Sequence, residues 1–133
     1  MEAKKVVIDS DLIIKHLRTR DKKDTLFQRV LNKYECYATF ITEYEIYIGA
    51  KSPSQKEDAD KLFKVIKILP TVKGCAKIAA QKHQEIKAKG LEVGIMDALI
   101  AGICIFNKTP LLTENLEHFS RFGNLHLIRT KDI

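Results

Sequence analysis

The sequence predicts an α/β fold, a three-layer sandwich in which a central, mostly parallel β-sheet is flanked by helices. Short apolar segments such as 4–9 and 110–113 have the length and composition of buried strands. Segments whose apolar residues follow helical spacing lie between these strands. Strands joined by helical crossovers form parallel sheets that are covered on both faces, so these two patterns together predict the fold.

Each element follows from its local pattern along the chain. Runs of β-branched and other apolar residues predict strands at 4–9, 36–40, 66–69, 110–113 and 125–129. Helical spacing predicts helices at 10–19, 22–34, 42–51, 72–89, 95–106 and 115–122, and another after the break at 52–54 that carries Ala59, Leu62, Phe63 and Ile66. Gly90 is predicted to end its helix as a left-handed cap.

Length and composition predict one domain that spans residues 1–133. The 133 residues are 45% hydrophobic, which is enough to bury a core without disulfides or structural metals. No run approaches the roughly 20 apolar residues that cross a bilayer, and the first residues do not resemble a signal peptide. We therefore expect a cytoplasmic protein that does not have a membrane as a partner.

The charge balance leaves two interpretations open. The chain has 23 basic and 17 acidic residues, for a net charge of +6. Such an excess favours a polyanionic partner such as RNA or DNA, because lysine and arginine release the counterions of phosphates when they neutralise them. A lysine-rich surface that only keeps the protein soluble has the same composition.

Cysteine and histidine residues show no metal-binding pattern. The three cysteines are odd in number and far apart in the sequence, which suits free buried thiols: Cys36, Cys75 and Cys104. The four histidines also lack the spacing of metal ligands: His16, His83, His118 and His126. Any cation is therefore expected to be held by oxygen ligands.

Asp9 follows three apolar β-branched residues at the end of the first predicted strand. In an open parallel sheet the ligand crevice lies beyond the carboxyl ends of the strands, so the Asp9 carboxylate is predicted to face that crevice. The same position suits a helix N-cap, because an aspartate side chain accepts hydrogen bonds from the free amides of a first helical turn. The sequence leaves both roles open.

Glu45 also has two interpretations. Thr42 and Glu45 match the S/T-x-x-E capping box, in which the two side chains satisfy amide groups at the start of a helix. Alternatively, Glu45 lies on the first turn of a helix that follows the second strand and points its carboxylate into the same crevice as Asp9. Glu43 lies about 200° away around that helix and is expected to face elsewhere.

Asp97 is the single charged residue of the apolar segment 95–106. A helix dipole favours an acid in the first turn by about 0.5 kcal/mol. This is far less than the cost of burying an unpaired carboxylate. Either the first turn of this helix is therefore open to water, or a cation lies nearby.

Three acids from three separate elements are thus predicted to meet at one edge of the sheet. Mg²⁺ and Mn²⁺ prefer hard oxygen ligands and are commonly held by a few carboxylates together with substrate phosphate. Such ions activate a water and stabilise the leaving oxygen in phosphodiester hydrolysis. Asp9, Glu45 and Asp97 therefore predict a Mg²⁺- or Mn²⁺-dependent site.

Four motifs resemble the PIN-domain ribonucleases and, within them, the VapC-type toxins of prokaryotic toxin–antitoxin pairs. They are VVIDSDLIIKHL, ITEYEIYIGA, IMDALIAG, and LLTENLEHF followed by NLHLI, and they occur in this order over nearly the whole chain. The resemblance implies a PIN-like sandwich whose acidic pocket binds Mg²⁺ or Mn²⁺ and cleaves single-stranded or loop RNA. It also implies a homodimer that is silenced by a VapB-like antitoxin, which inserts a segment into the active-site groove.

The resemblance assigns roles to individual residues. Asp9, Glu45 and Asp97 match the metal-binding acids of the family. Thr113 and Asn115 match the T-x-N segment before its last acidic position, and Asn115 is expected to hold a carboxylate or a water in place.

At the last acidic position the chain departs from the family pattern. Many relatives have aspartate in T-x-N-x-x-D-F, whereas this chain has His118, with Glu117 beside it. Three arrangements are open: His118 contacts a water or the substrate phosphate, Glu117 turns inward, or the fourth ligand is absent. The secondary candidates for the site are therefore Thr42, Thr113, Glu117 and His118.

Basic and aromatic side chains near these motifs are the candidates for RNA contact. The basic candidates are Lys15, Arg18, Lys51 and Arg121. Tyr44 and Tyr47 are candidates for base stacking, although Tyr47 suits the core equally well. Apolar residues of the second to fourth helices are candidates for a dimer or antitoxin surface.

Two other functions are compatible with the sequence. A PIN-like module that binds RNA or protein without cutting fits the missing fourth aspartate. A haloacid-dehalogenase-like phosphohydrolase fits Asp9-Ser10-Asp11 as a D-x-D nucleophile motif, but Ile13 stands where that motif normally continues with threonine or valine.

Overall fold

The computed structural model describes residues 4–133 and confirms the predicted α/β sandwich. The strands are β1 (Lys4–Ile8), β2 (Tyr34–Ala38), β3 (Lys67–Ile68), β4 (Leu111–Thr113) and β5 (Leu127–Arg129). The helices are α1 (Ser10–Arg18), α2 (Leu26–Lys33), α3 (Phe40–Gly49), α4 (Pro53–Val65), α5 (Cys75–Ala88), α6 (Ile95–Phe106) and α7 (Leu116–Phe119), with a last 3-10 turn at Thr130–Asp132. Within these residues, no helix is long and apolar enough to cross a membrane.

The sheet has the strand order β3-β2-β1-β4-β5, and its paired strands run parallel. The chain adds β2 and β3 on one side of β1 and then returns to add β4 and β5 on the other side. The order therefore reverses between β1 and β4, which pair through Val7–Leu111 and Ile8–Leu112. Chains that leave such a pair diverge and open a crevice at the carboxyl ends of the strands.

Alternating side chains of β1 anchor a core on each face of the sheet. Val7 packs with apolar residues of α5 and α6, such as Ile86 and Ile100. Val6 and Ile8 point the other way and pack with residues of α1, α2 and α4. The two cores account for the three layers that the sequence predicts.

Helices α5 and α6 approach each other closely at Gly102. A Cβ atom added to Gly102 would lie 2.6 Å from the Ala79 Cβ and 2.8 Å from the Ala79 backbone nitrogen. Any side chain at this position would force the helices apart. This contact fixes the position of α6, which carries Asp97 on its first turn.

The structure shifts the predicted boundaries between residues 22 and 40. The predicted helix 22–34 begins only at Leu26, because the Thr25 hydroxyl caps it by accepting a hydrogen bond from the Gln28 amide. Strand β2 follows directly and ends at Ala38, so the predicted strand 36–40 is displaced by two residues.

Helix α3 begins at Phe40, two residues earlier than predicted. Thr39 is its N-cap, and Thr39 Oγ1 accepts a hydrogen bond from the Thr42 amide at 3.2 Å. The capping-box interpretation of Thr42 and Glu45 is therefore wrong. Because Glu45 lies one turn beyond the helix start, its carboxylate does not serve to cap α3.

The last half of the chain is close to the prediction. The predicted helix 95–106 agrees with α6, and Gly90 follows α5 with a φ of 76°, which confirms the left-handed cap. The predicted helix 72–89 begins later, at Cys75, and the predicted helix 115–122 is reduced to α7. The cysteines are free and buried, as predicted.

Candidate active site at the carboxyl ends of the strands

Asp9 lies between β1 and α1 and is almost completely buried, with 5% of its surface exposed. Its Oδ1 accepts a hydrogen bond from the Ser10 amide at 2.8 Å, and its Oδ2 accepts one from the Thr113 hydroxyl at 2.8 Å. Asp9 is thus the N-cap of α1 and also lies at the crevice, so both interpretations apply. Burial raises the pKa of Asp9, the Thr113 hydrogen bond lowers it, and the nearby Asp11 carboxylate raises it.

Thr113 connects the ends of β1 and β4. Its hydroxyl donates to Asp9 and accepts a hydrogen bond from the Asn115 amide at 2.9 Å. The side-chain amide of Asn115 lies 3.3 Å from Nδ1 of His118. In the described residues Asn115 therefore contacts His118, where the sequence predicted a carboxylate or a water.

Glu45 carries the least satisfied polar atom of the site. Its Oε1 is buried and has no hydrogen-bond partner among the described residues. Burial raises the pKa of Glu45, and the carboxylates of Asp9, Asp97 and Asp11 raise it further, while the Ser10 side chain lowers it. A buried acceptor without a donor costs about 1–3 kcal/mol, so this oxygen has a physical reason to bind a cation.

Asp97 lies on the first turn of α6, and that turn is open to solvent. The preceding Ile95 and Met96 are 67% and 43% exposed, and Asp97 itself is half-buried. The sequence left two explanations for a carboxylate in this apolar segment: access to water or a nearby cation. The open first turn makes access to water sufficient. Burial still raises the pKa of Asp97, whereas the charge of His118 lowers it and that of Asp11 raises it.

Asp11 is an acid of this site that sequence reasoning missed. It had been considered only as part of a D-x-D nucleophile motif. Asp11 is exposed on the first turn of α1, and its charge raises the pKa of each of the other three acids. Its position two residues after Asp9 was the available signal. We refer to Asp9, Asp11, Glu45 and Asp97 as the acidic rim.

The chemistry of the acidic rim fits a divalent cation. It presents carboxylate oxygens that raise one another's pKa, and one of them lacks a donor. Within residues 4–133, no three Asp, Glu, His or Cys side chains form a ready-made metal cluster. Mg²⁺ does not require one, because it is usually bound by one or two carboxylates, several waters and substrate phosphate.

Residues 6–125 match the sequence model of the PIN domain. The chain belongs to the PIN domain family. The matched segment contains the whole acidic rim and extends past α7, in agreement with the four motifs identified in the sequence. No curated protein matches the chain.

Solved structures share the fold of this PIN domain at low sequence identity. A chain of DNA-bound VapBC from Salmonella typhimurium matches with a TM-score of 0.83 and 21% identity over 96% of this chain and 98% of that chain. VapBC-1 from nontypeable Haemophilus influenzae matches with a TM-score of 0.82 and 20% identity over 96% of this chain and 98% of that chain. VapBC2 from Rickettsia felis, bound to a promoter DNA fragment, matches with a TM-score of 0.81 and 20% identity over 94% of this chain and 98% of that chain. At these identities the likeness establishes the fold.

The secondary candidates divide between the PIN-domain core and its surface. Thr42 is buried and its Oγ1 accepts a hydrogen bond from the Thr39 hydroxyl at 3.3 Å, so it supports the start of α3. Glu117 and His118 are both exposed on α7. Of these two, His118 lines the cavity beside Asp97.

Two cavities flank the acidic rim. The first, of about 110 Å³, lies between α1, α3 and α4, and we call it the α1–α3 groove; Glu45 and Arg18 line it together with apolar side chains such as Ile46. The second, of about 520 Å³, lies between loop 90–94 and α7, and we call it the α7 cavity. The first cavity thus reaches the rim at Glu45, and the second reaches it at Asp97.

The predicted RNA-binding residues differ in their surroundings. Arg18 lines the α1–α3 groove, and Arg121 lines the α7 cavity while donating to the Glu92 carbonyl at 2.9 Å. Lys15 lies 3.1 Å from the Glu114 carboxylate, which reduces its availability for phosphate. Lys51 is exposed after α3.

The two candidate tyrosines of α3 also differ. Tyr47 donates to the Asp60 carboxylate at 2.6 Å and stacks on Phe63, with ring centroids 5.5 Å apart. It therefore packs α3 against α4. Tyr44 is 54% exposed and leaves a ring face accessible.

Proposed function

We propose that this PIN domain is a single-domain, Mg²⁺- or Mn²⁺-dependent endoribonuclease, the toxin of a VapBC-type pair that acts in the cytoplasm. The observation that carries the proposal is the buried Oε1 of Glu45, which has no donor among the described residues. The Asp9 and Asp97 carboxylates interact with the same group. A cation at this point would satisfy the oxygen and offset the repulsion between the three acids.

Asp9, Glu45 and Asp97 would hold the ion, which when bound lowers the pKa of an attacking water and stabilises charge on the leaving oxygen. The chain's own contribution is orientation. Thr113 and the Ser10 amide fix both oxygens of Asp9 through hydrogen bonds of 2.8 Å. Asp11 adds negative charge on the solvent side of the rim, which favours cation binding from solution.

The arginines on either side of the rim are suited to hold the RNA. Arg18 lines the α1–α3 groove and Arg121 lines the α7 cavity, the two cavities that flank the acids. A guanidinium group binds phosphate oxygens through two parallel hydrogen bonds. Together the two arginines would align the RNA backbone across the rim. His118 lines the same cavity as Asp97 and Arg121 and would lie close to a phosphate bound there.

The proposed antitoxin partner fits the α1–α3 groove. This groove combines apolar side chains with the carboxylates of Glu45 and Asp58, so it suits an amphipathic segment that carries a basic residue. Such a segment would pair with Glu45 and block the rim. Three solved structures that share this fold are VapBC assemblies, which supports the same partner class.

The proposed homodimer fits the outer face of α3. Phe40, Tyr44 and Ile48 are 46%, 54% and 63% exposed and follow one another at four-residue intervals. Residues at this spacing lie on one side of a helix, so they form an apolar stripe. A stripe of large apolar side chains rimmed by polar residues is typical of a protein interface.

The test is cleavage of labelled single-stranded and stem-loop RNA by the purified protein in Mn²⁺ and in EDTA. We expect cleavage that requires the ion and is lost in Asp97→Asn. Cutting that persists in EDTA, or that survives this substitution, would contradict the proposed mechanism.

One alternative has an observation in its favour. Within the described residues there is no ready-made three-ligand cluster, and His118 stands at the last acidic position. A non-catalytic PIN module that binds RNA or protein would have these features. It predicts that the parent and Asp97→Asn bind RNA equally and that neither cuts it. The haloacid-dehalogenase alternative loses its basis, since the chain belongs to the PIN family.

A further inference from the structure

Four lysines surround an open cavity at the amino ends of the strands, at the opposite end of the sheet from the acidic rim. Lys4 and Lys5 begin β1, Lys67 begins β3, and Lys108 lies just before β4. The cavity has a volume of about 690 Å³. We refer to it, with these four lysines, as the lysine trough.

The positive charge of the trough is only partly compensated. Glu35 accepts a hydrogen bond from Lys67 at 2.9 Å, and the same oxygen accepts one from the Tyr37 hydroxyl at 2.9 Å. In the part of the chain that the structure describes, Lys4, Lys5 and Lys108 have no carboxylate within salt-bridge distance. Among the described residues, Lys4, Lys5 and Lys108 therefore line the cavity without a salt-bridge partner, and the only nearby acid is Glu35, whose pKa the Lys5 charge lowers.

The sheet explains why the lysines come together and how far apart they are. The β1–β2 register places Lys5 beside Glu35, and the β2–β3 register places Tyr37 beside Lys67. From β3 to β4 the trough crosses three strand spacings, which is about 14 Å. A single phosphate group cannot contact charges spread over this distance, whereas an extended chain of phosphates can.

The side chains of the trough suit a nucleic-acid backbone rather than its bases. Lysine is a strongly hydrated point charge on a flexible stem, which matches phosphates without fixing their geometry. Among the described lining residues the aromatic ring is that of Tyr37, which is 8% exposed and has the Lys5 ammonium 5.7 Å from its centroid. It offers no free face for base stacking.

We propose that the lysine trough binds the sugar–phosphate backbone of single-stranded RNA, without sequence preference and separately from the acidic rim. The five residues of β1 separate Lys4, at the far end of the trough, from Asp9 by about 17 Å. The site therefore lies beyond the proposed catalytic centre, and it does not depend on cleavage or on a metal ion.

The experiment measures binding of a fluorescein-labelled, unstructured RNA of about 20 nucleotides by anisotropy in EDTA, over a series of salt concentrations. The test variant carries Lys→Gln at positions 4, 5, 67 and 108. The matched control carries Lys→Gln at four exposed helical positions, 56, 64, 77 and 87. Both variants lose the same formal charge, so only the location of the charge differs.

We expect the trough variant to bind RNA about tenfold more weakly at low salt and to lose about 2 to 3 from the slope of log K against log salt, since each phosphate contact to a single strand contributes about 0.7. The control variant should retain most of the RNA affinity and most of the salt slope. Equal losses in the two variants would overturn the proposal. Polyglutamate serves as a second probe. If the trough variant loses polyglutamate binding as strongly as it loses RNA binding, the proposal is also overturned, because the trough would then be a site for acidic protein.

Thermal unfolding of each variant controls for folding. If the fourfold variant does not fold, the variant Lys4→Gln/Lys5→Gln/Lys108→Gln retains the Lys67–Glu35 ion pair of 2.9 Å. Its salt slope should fall by about 2. An unchanged slope in this folded variant would overturn the proposal as well.

Discussion

The acidic rim and the lysine trough lie at opposite ends of one parallel sheet and differ in how their charges are held. In the rim, Asp9 is buried and both of its oxygens accept hydrogen bonds, and burial is the largest cause of its raised pKa. In the trough the lysines are exposed, and among the described residues only Lys67 has an acidic partner. The rim therefore holds its carboxylate oxygens in fixed positions, whereas the exposed lysines of the trough act through long-range electrostatic attraction.

The parallel sheet itself produces this separation. Because its strands run in the same direction, residues that follow strands gather at one end and residues that precede them gather at the other. Asp9 follows β1, while Lys4 begins it. A difference of five positions along one strand thus decides whether a side chain joins the rim or the trough.

The largest effect is expected from Asp9→Asn, which should reduce the rate of RNA cleavage by roughly three orders of magnitude. Asparagine is as good an N-cap as aspartate, so the start of α1 should persist while the charge is lost. Single-turnover cleavage in Mn²⁺ measures the effect, and circular dichroism reports the helix content.

Asp21→Asn is the matched control for this substitution. Asp21 is exposed and its Oδ1 accepts a hydrogen bond from the Lys23 amide at 3.0 Å, which asparagine can also accept. Cleavage by this variant should equal that of the parent. If both variants cleave at the parent rate, the rim is not the catalytic centre.

The next effect is on metal affinity. Glu45→Gln removes the charge of the carboxylate whose Oε1 has no partner among the described residues, so Mn²⁺ should bind at least about tenfold more weakly in calorimetry. Glu43→Gln is the control on the same helix, since its charge acts on Tyr47 rather than on the rim. Equal Mn²⁺ affinity in the two variants would exclude Glu45 as a ligand.

The position of the rim was predictable from the sequence, but its full membership was not. The rule for strand ends placed Asp9 at the crevice, and the apolar run around Asp97 marked that residue as unusual. Asp11 was missed because helical spacing does not determine which exposed side chain of a first turn lies close to acids on other elements. The capping box at Thr42 was a false signal, because the Thr39 hydroxyl caps α3 first.

The trough was not predictable from the sequence. Its lysines are separated by up to about a hundred residues, and no motif relates Lys67 to Lys108. They become neighbours only through the strand order, in which β3 and β4 lie on opposite sides of the β1–β2 pair. Net charge was compatible with a polyanionic partner or with a merely solubilising surface, and it located neither. Tertiary structure supplies the location.

The metal-free rim should also make stability depend on pH. The pKa values of Asp9, Glu45 and Asp97 are raised, mainly by burial, from ordinary values of 3.8, 4.5 and 3.8. The folded state then holds protons that the unfolded chain has released. Its stability therefore falls as the pH rises from the ordinary values through the raised ones, and then levels off.

Melting temperatures in EDTA at about pH 4 to 8 measure this dependence. Glu45→Gln should melt a few degrees above the parent at neutral pH, and the difference should shrink as the pH falls below the ordinary glutamate pKa of 4.5. Saturating Mn²⁺ should reverse the order, because it stabilises the parent by binding. A constant difference across the pH range would show that Glu45 does not titrate with a raised pKa.

The smallest effect is expected at the trough, from Glu35→Gln. Its carboxylate holds the Lys67 ammonium at 2.9 Å, so its removal leaves a fourth lysine charge without a partner. RNA should then bind about two- to threefold more tightly at about 50 mM salt and no more tightly at about 500 mM, where exposed charges are screened. Glu57→Gln on α4, which releases Lys61 from a 3.4 Å ion pair, is the matched control. Because both pairs are exposed, neither substitution should change the melting temperature appreciably. A gain in RNA binding that is equal in the two variants would reflect net charge alone, and it would remove the distinction between the trough and the rest of the basic surface.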